Sequence, residues 1–254
     1  MSAPRMFDLA GTVAIVTGGN GGIGRGIALG LAEAGAAVAI VARNREKNRA
    51  VAAELNALGA RAIALEVDVG DRAHLQPALD QVQRDLGPVN ILVNNAGISV
   101  ISPTLTLEPA QWDRVLETNL TACFLLSRLA AQSMVARQAG KIINVASEYA
   151  FFGALAVPAY SAAKGGLVQL TKSMAIELAR YNIQVNAIVP GWIETAMTEP
   201  LKSGPFHDEI VMRTPARRFG KPEECAGAAV FLASHASDFV TGTSLFVDGG
   251  YRIR

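Results

Sequence analysis

The chain has 254 residues, half of them hydrophobic, and 23 Lys and Arg against 22 Asp and Glu leave a formal net charge of +1. That length supports one large core, and the balanced charge argues against nucleic acid or a membrane surface as partner. Two cysteines, Cys123 and Cys225, stand far apart with no CxxC or Cys/His cluster, which argues against a disulfide framework or structural zinc and for a reducing cytoplasm.

In chain order, the opening "MSAPRMFDLAGTV" lacks a basic stretch followed by an apolar one, so no secretory signal is expected. Seven short runs rich in Val and Ile follow: "TVAIVT" (12–17), "AVAIVA" (37–42), "RAIALEV" (61–67), "VNILVNN" (89–95), "KIINVAS" (141–147), "IQVNAIV" (183–189) and "TSLFVDG" (243–249). Nearly continuous apolar character over this length predicts strands buried on both faces, as in a parallel sheet. Helical spacing lies between them. "GRGIALGLAEAG" and "NREKNRAVAAELNALG" close on Gly35 and Gly59, and a long stretch starts at Pro109 and stops at Gly140. Two more helices are predicted at 159–181 and in "PEECAGAAVFLAS". The uncharged run from Gly87 to Leu107 carries Asn90, Asn94 and Asn95, groups too costly for a membrane span. Repeated β-α alternation predicts an α/β chain with a doubly wound parallel sheet, helices on both faces, and one domain over 1–254.

"TGGNGGIG" (17–24) follows the first strand and leads into a helix. This is where a dinucleotide pyrophosphate rests on helix N–H groups, with glycines admitting the backbone close to the phosphates. The second strand ends on Ala42 and Arg43 where a carboxylate would otherwise meet the ribose of NAD. The arginine fork suits a 2′-phosphate, which favours NADP, with NAD the alternative. Only Arg43 supports the phosphate, with Asn20 a weak helper, because Gly21 stands where a second base would serve.

"YSAAK" puts Tyr160 and Lys164 on one helical face. The ammonium favours the phenolate, which suits proton exchange with a hydroxyl or ketone. With "TGGNGGIG", "NNAG" (94–97), Asn119 in "ETNL", Ser147 thirteen residues before Tyr160, "PGWIET" (190–195), "VDGG" (247–250) and Asp68 in "EVDV", the chain resembles the short-chain dehydrogenase/reductase family over nearly its whole length. The resemblance implies a Rossmann fold and an NAD(P)-dependent oxidoreductase interconverting a ketone and a secondary alcohol. It implies Tyr160 as acid/base, Lys164 as its electrostatic partner and a ligand of the nicotinamide ribose, Ser147 on the substrate oxygen, and Asn119 holding a relay water through its backbone. The cofactor would lie on Gly18, Asn20, Gly22, Ile23, Gly24, Arg43, Asp68, Val69, Asn95, Ala96, Gly97, Tyr160, Lys164, Pro190, Gly191, Ile193 and Thr195. No metal is needed, and His74, His207 and His235 are expected at the surface.

By the same resemblance the substrate pocket is walled by the residues after Ser147, with Tyr149 among them, and by Trp192 and a lid over about 194–220. The tail from Arg213 is similar to that of members acting on sugar acids and polyols, the gluconate and deoxygluconate dehydrogenases. Arg213, Arg217 and Arg218 are candidate carboxylate partners, against a solvated or subunit-contacting basic face. A 3-oxoacyl thioester reductase, with Arg137 and Arg180 docking an acidic carrier, is the alternative. A cofactor-binding regulator without chemistry is a third reading, disfavoured because Asn119, Ser147, Tyr160 and Lys164 are all present. Extra apolar surface on helices 109–139 and 159–181, together with the resemblance, implies a homotetramer.

Overall fold

The Val- and Ile-rich runs become β1 (Val13–Thr17), β2 (Ala37–Ala42), β3 (Ala62–Glu66), β4 (Ile91–Asn94), β5 (Gly140–Val145), β6 (Ile183–Pro190) and β7 (Ser244–Val247). In the computed structural model, which describes residues 3–254, all seven pair in parallel in the order β3-β2-β1-β4-β5-β6-β7. The chain reverses direction across the sheet between β1 and β4, which opens a crevice at the carboxyl ends of these two strands.

Strand alternation assigns one set of side chains to each face. Ile15, Leu92, Ile142 and Val185 pack under α4 (Leu75–Asp85), α6 (Ala122–Arg137) and α7 (Pro158–Leu178). Val16, Val93, Ile143 and Ile188 pack under α2 (Gly22–Glu33), α3 (Arg45–Ala57) and α9 (Ala226–Ala233). With both faces covered, β4, β5 and β6 are buried along their whole lengths. A short α1 (Ala3–Met6) precedes β1. Among the described residues, no helix is long and apolar enough to cross a membrane.

Three local features depart from the sequence reading. The helix expected over 109–139 is α5 (Pro109–Leu116), a π-helical turn (Glu117–Thr121), and then α6. Its end is set by Gln138 in the left-handed region, at φ 53°, rather than by Gly140. Gly140 instead opens β5, where a side chain would collide with Met134. Helix α4 was not anticipated, although Leu75, Ala78, Leu79 and Val82 are buried at helical spacing. The segment 194–220 contains α8 (Pro205–Arg213), and its two ends are stapled together. Glu194 N–H donates to Gly220 at 2.9 Å, and Gly220 N–H donates to Trp192 at 2.8 Å.

Candidate active site

The glycine loop runs from the end of β1 to the first turn of α2. Thr17 sets its position: the hydroxyl accepts from Asn95 N–H at 2.9 Å and Ala96 N–H at 3.0 Å. The Asn95 amide then donates to the carbonyls of Thr17 and Gly18. A Cβ on Gly24 would strike the Gly18 carbonyl and the Asn95 amide, so no other residue allows this closeness. No side chain caps the α2 N-terminus, which leaves its backbone donors and the positive end of the helix dipole turned to the crevice. This is a fit for a pyrophosphate. Ile23 packs beneath the loop, and Gly22 faces Thr195 across the crevice, its absent Cβ lying 3.0 Å from the threonine methyl. Pro190 ends β6, Gly191 N–H donates to Val247 at 3.0 Å, and the buried Ile193 bridges to Gly220.

At the ends of β2 and β3, Arg43 and Asp68 face each other at 3.8 Å, both well exposed. This separation leaves the guanidinium fork open to a ligand. Val69 is buried behind them. The Asn20 amide nitrogen donates one hydrogen to Asn48 at 2.6 Å, and its second N–H is left for a ligand.

Lys164 is 3% exposed. Its ammonium donates to the Val145 carbonyl at 2.7 Å and stands 5.6 Å from the centre of the Tyr160 ring. Tyr160 is half-buried on the first turn of α7. Ser147, just beyond β5, accepts Tyr149 N–H at 3.3 Å, a contact that does not use its own hydroxyl proton. Asn119 is fully buried in the π-helical turn. Its amide grips the backbone of Ile98 in both directions, at 2.8 and 3.2 Å, and also donates to Val115. Gly97 makes that approach possible, because a Cβ there would lie 2.6 Å from the Asn119 oxygen. A π-turn at this point is a frequent mark of a functional site.

Beyond Tyr160 stands a wall of aromatic rings. Tyr149 meets Tyr160 edge-on at 6.4 Å, Phe152 at 6.2 Å and Trp192 at 6.1 Å, and Trp192 meets Tyr251 at 6.2 Å. Burial, with the nearby Tyr251, Tyr160 and Glu148, pushes the Tyr149 phenol up to about 12, so it stays a neutral donor. Phe152 lies in the stretch after Ser147 expected to wall the pocket, whereas Tyr251 was not singled out from sequence. They are 99 positions apart, and no spacing links them.

The three arginines of the tail separate. Arg218 is paired twice to Glu224 at 2.6 Å, and its hydrogen bonds hold that carboxyl down near 2. Arg217 donates to the Met212 carbonyl at 2.7 Å. Arg213 lies over the rings of Tyr251, at 4.3 Å, and Phe152, at 5.3 Å. His74 and His235 are exposed and hydrogen-bonded to Asp71 and Asp238. His207 is partly exposed as well, with its ring stacked on the buried Phe219 at 5.5 Å. Burial pushes the thiols of Cys123 and Cys225 up to about 11 and 12, so neither is a nucleophile at neutral pH. Arg137 donates to the Val89 carbonyl and Arg180 lies over Tyr181. Both sit near the carboxyl ends of α6 and α7, at the opposite edge of the sheet from Tyr160.

Comparison with known proteins decides the family. The family model described as Enoyl-(Acyl carrier protein) reductase matches residues 18–252. The chain belongs to the short-chain dehydrogenase/reductase family. Within it, the chain is 42% identical over 248 residues to 2-dehydro-3-deoxy-D-gluconate 5-dehydrogenase of Formosa agariphila, covering 96% of this chain and 94% of that one. It is also 42% identical over 246 residues to 5-keto-D-gluconate 5-reductase of Escherichia coli K12, covering 96% and 97%. The crystal structure of a gluconate 5-dehydrogenase from Burkholderia cenocepacia in complex with NADP and tartrate superposes with a TM-score of 0.95 at 41% identity, over 100% of both chains. Membership makes the protein an oxidoreductase acting on CH–OH groups.

The glycine cradle is open to direct test. Gly24→Val forces the loop away from Gly18, and overpacking of about 1–3 kcal/mol corresponds to roughly ten- to hundredfold weaker dinucleotide binding. Fluorescence titration should show that loss with the circular dichroism spectrum unchanged. Unaltered affinity would mean that the loop does not carry the pyrophosphate.

Proposed function

We propose that this protein is an NADP-dependent dehydrogenase/reductase that interconverts a ketone and a secondary alcohol on a sugar acid or keto-sugar. The observation carrying the reading is the buried Lys164 ammonium, which stands 5.6 Å from the centre of the Tyr160 ring and ties α7 to the end of β5, two residues before Ser147. A bound nicotinamide dinucleotide supplies or accepts the hydride. The chain supplies position and protons. Ser147 donates its hydroxyl hydrogen to the substrate oxygen. Tyr160 gives its phenolic proton to that oxygen in reduction and takes it back in oxidation. The buried ammonium of Lys164 stabilises the phenolate that reduction leaves behind, and its remaining donors serve the nicotinamide ribose. The Asn119 carbonyl, in the π-turn, holds the relay water. Arg43 clasps the 2′-phosphate, and Asp68 and Val69 border the adenine.

The substrate class rests on the named activities of the relatives and on Arg213. With Arg217 and Arg218 already engaged, Arg213 is the tail arginine left to meet a carboxylate beside the aromatic wall. The thioester alternative gains no support, because Arg137 and Arg180 lie on the far edge of the sheet. The segment 194–220, pinned at both ends, serves as the lid. Exposed apolar side chains on the outer helices, Phe124 on α6 and Ile176 on α7, favour a homotetramer, and the two buried free thiols suit a cytoplasmic protein.

Purified enzyme should oxidise NADPH with keto-sugar acids in preference to neutral ketoses, and leave an acetoacetyl thioester untouched. Turnover of the thioester alone would overturn the substrate reading. Tyr160→Phe should lower kcat by about 10²–10⁴-fold with dinucleotide binding retained; activity that survives would remove Tyr160 from the mechanism. Arg43→Ala should cut the preference for NADPH over NADH roughly ten- to hundredfold, the worth of charge-assisted hydrogen bonds to a phosphate. An unchanged ratio would place the 2′-phosphate elsewhere. Sedimentation equilibrium should return four times the chain mass, and a monomer would refute the assembly.

A further inference from the structure

Immediately after Ser147 comes a carboxyl group that the proposed chemistry does not use. Glu148 opens the 3-10 turn Glu148–Ala150 between Ser147 and Tyr149, and it is only 3% exposed. Its Oε1 is buried with no hydrogen-bond partner among the described residues. Its carboxyl faces another carboxyl, that of Asp248 in the turn after β7, where the two stretches of chain pack together through Phe151 on Phe246 at 4.9 Å and Phe152 on Tyr251 at 6.1 Å.

Two carboxyls in contact cannot both carry charge cheaply, so one keeps a proton. The backbone decides which. Asp248 accepts Gly250 N–H at 2.9 Å on one oxygen and Arg252 N–H at 3.0 Å on the other. Burial works against its charge, yet these bonds leave its carboxyl below the ordinary value. Glu148 has no such donors, and burial followed by the Asp248 contact raises it to about 8. The remaining charged groups act against that rise without cancelling it. Arg213 faces the pair from α8 and Arg252 from the C-terminal turn, and both favour ionised Glu148. Arg213 is spread over Phe152 and Tyr251, and Arg252 lies 3.7 Å from the centre of the Phe246 ring. Tyr149, on the same turn as Glu148, and Tyr251 complete the titratable surroundings.

The two ends of this contact matter for the site. On one side are Ser147 and Tyr149. On the other, Tyr251 N–H donates to the Asp248 carbonyl at 3.1 Å, and the Tyr251 ring packs on Trp192 and Phe152. We propose that Glu148 is a positioning residue, whose carboxyl proton, shared with Asp248, fixes the Ser147–Tyr149 corner against the turn that carries Tyr251. The proton stays on Glu148 as a donor and is not passed to substrate. The proposal rests on the functional reading above only in taking that corner as the substrate site.

Because the folded-state value of Glu148 lies above that of an unfolded carboxyl, its contribution to stability is complete below the unfolded value and is lost as pH rises through about 8. Above that pH the two carboxylates repel, and the corner loosens. The test compares the full-length parent with Glu148→Gln, Glu148→Ala and Asp248→Asn, using melting temperature against pH without substrate and KM for the ketone against pH. For the parent, the melting temperature should fall as pH rises from the ordinary carboxylate range to about 8 and level off above it, and KM should rise severalfold as pH passes about 8. Glu148→Gln, whose amide donates to Asp248 without titrating, should hold both flat. Glu148→Ala should show the raised KM at every pH, with kcat less affected. If neither variant at 148 folds, Asp248→Asn should move the parent's transition to lower pH by removing the second negative charge. A Glu148→Gln profile like the parent's, a parent whose melting temperature does not fall up to pH 8 and whose KM is flat through it, or an unmoved Asp248→Asn transition would overturn the proposal. Absence of turnover with any ketone would sink the functional reading while the melting profiles still judge Glu148.

Discussion

The hydrogen bond from the Lys164 ammonium to the carbonyl of Val145 is the contact on which the rest of the site depends. A buried ammonium is costly unless it is satisfied, and this bond, 2.7 Å long, joins the first turns of α7 to the last residue of β5. One helical turn before Lys164 comes Tyr160, and two residues beyond Val145 comes Ser147. A single contact between helix and strand therefore fixes the separation of three functional groups. The π-turn performs the same service from the other side, since it lets the Asn119 amide clasp Ile98 and hold the loop after β4 against α7. Rigid elements thus position every proposed catalytic group, which is what orientation-dependent proton transfer requires.

The cofactor half and the substrate half of the crevice use different physics. On the cofactor side the chain offers backbone: uncapped N–H groups at α2, glycines that admit close approach, and the Thr17 hydroxyl tying two loops together. A ligand held this way is recognised by its phosphates. On the proposed substrate side the chain offers aromatic faces with a few polar tips, the Ser147 hydroxyl, the Tyr149 phenol and the Arg213 guanidinium. Rings stacked edge-on are stiff, and their flat faces suit the C–H surfaces of a polyol while the tips bind its oxygens.

Much of this was legible in the chain itself. Continuous Val and Ile runs mark strands covered on both faces, and the glycine loop, the Tyr160–Lys164 spacing and the position of Ser147 are local patterns. What escaped the reading is non-local or depends on one extra residue. A π-turn inserts a residue into an otherwise regular apolar helix, and nothing in "ETNLT" announces it. The aromatic wall joins Tyr149 and Phe152 to Trp192 and Tyr251 from three separate stretches of chain. Glu148 reads as an ordinary polar residue until burial and Asp248 surround it. Helix α4 was readable, since its buried positions recur at helical spacing, but Pro77 and six polar residues among its eleven mask the pattern.

The central claim, that a buried ammonium organises the proton donor, is tested most directly by the single-turnover rate of NADPH oxidation by Lys164→Met at saturating cofactor. Saturation removes any contribution from weakened ribose binding. A fall of about a hundredfold or more is predicted, the scale of assistance to proton transfer. A variant that reduces its ketone as fast as the parent would contradict the account.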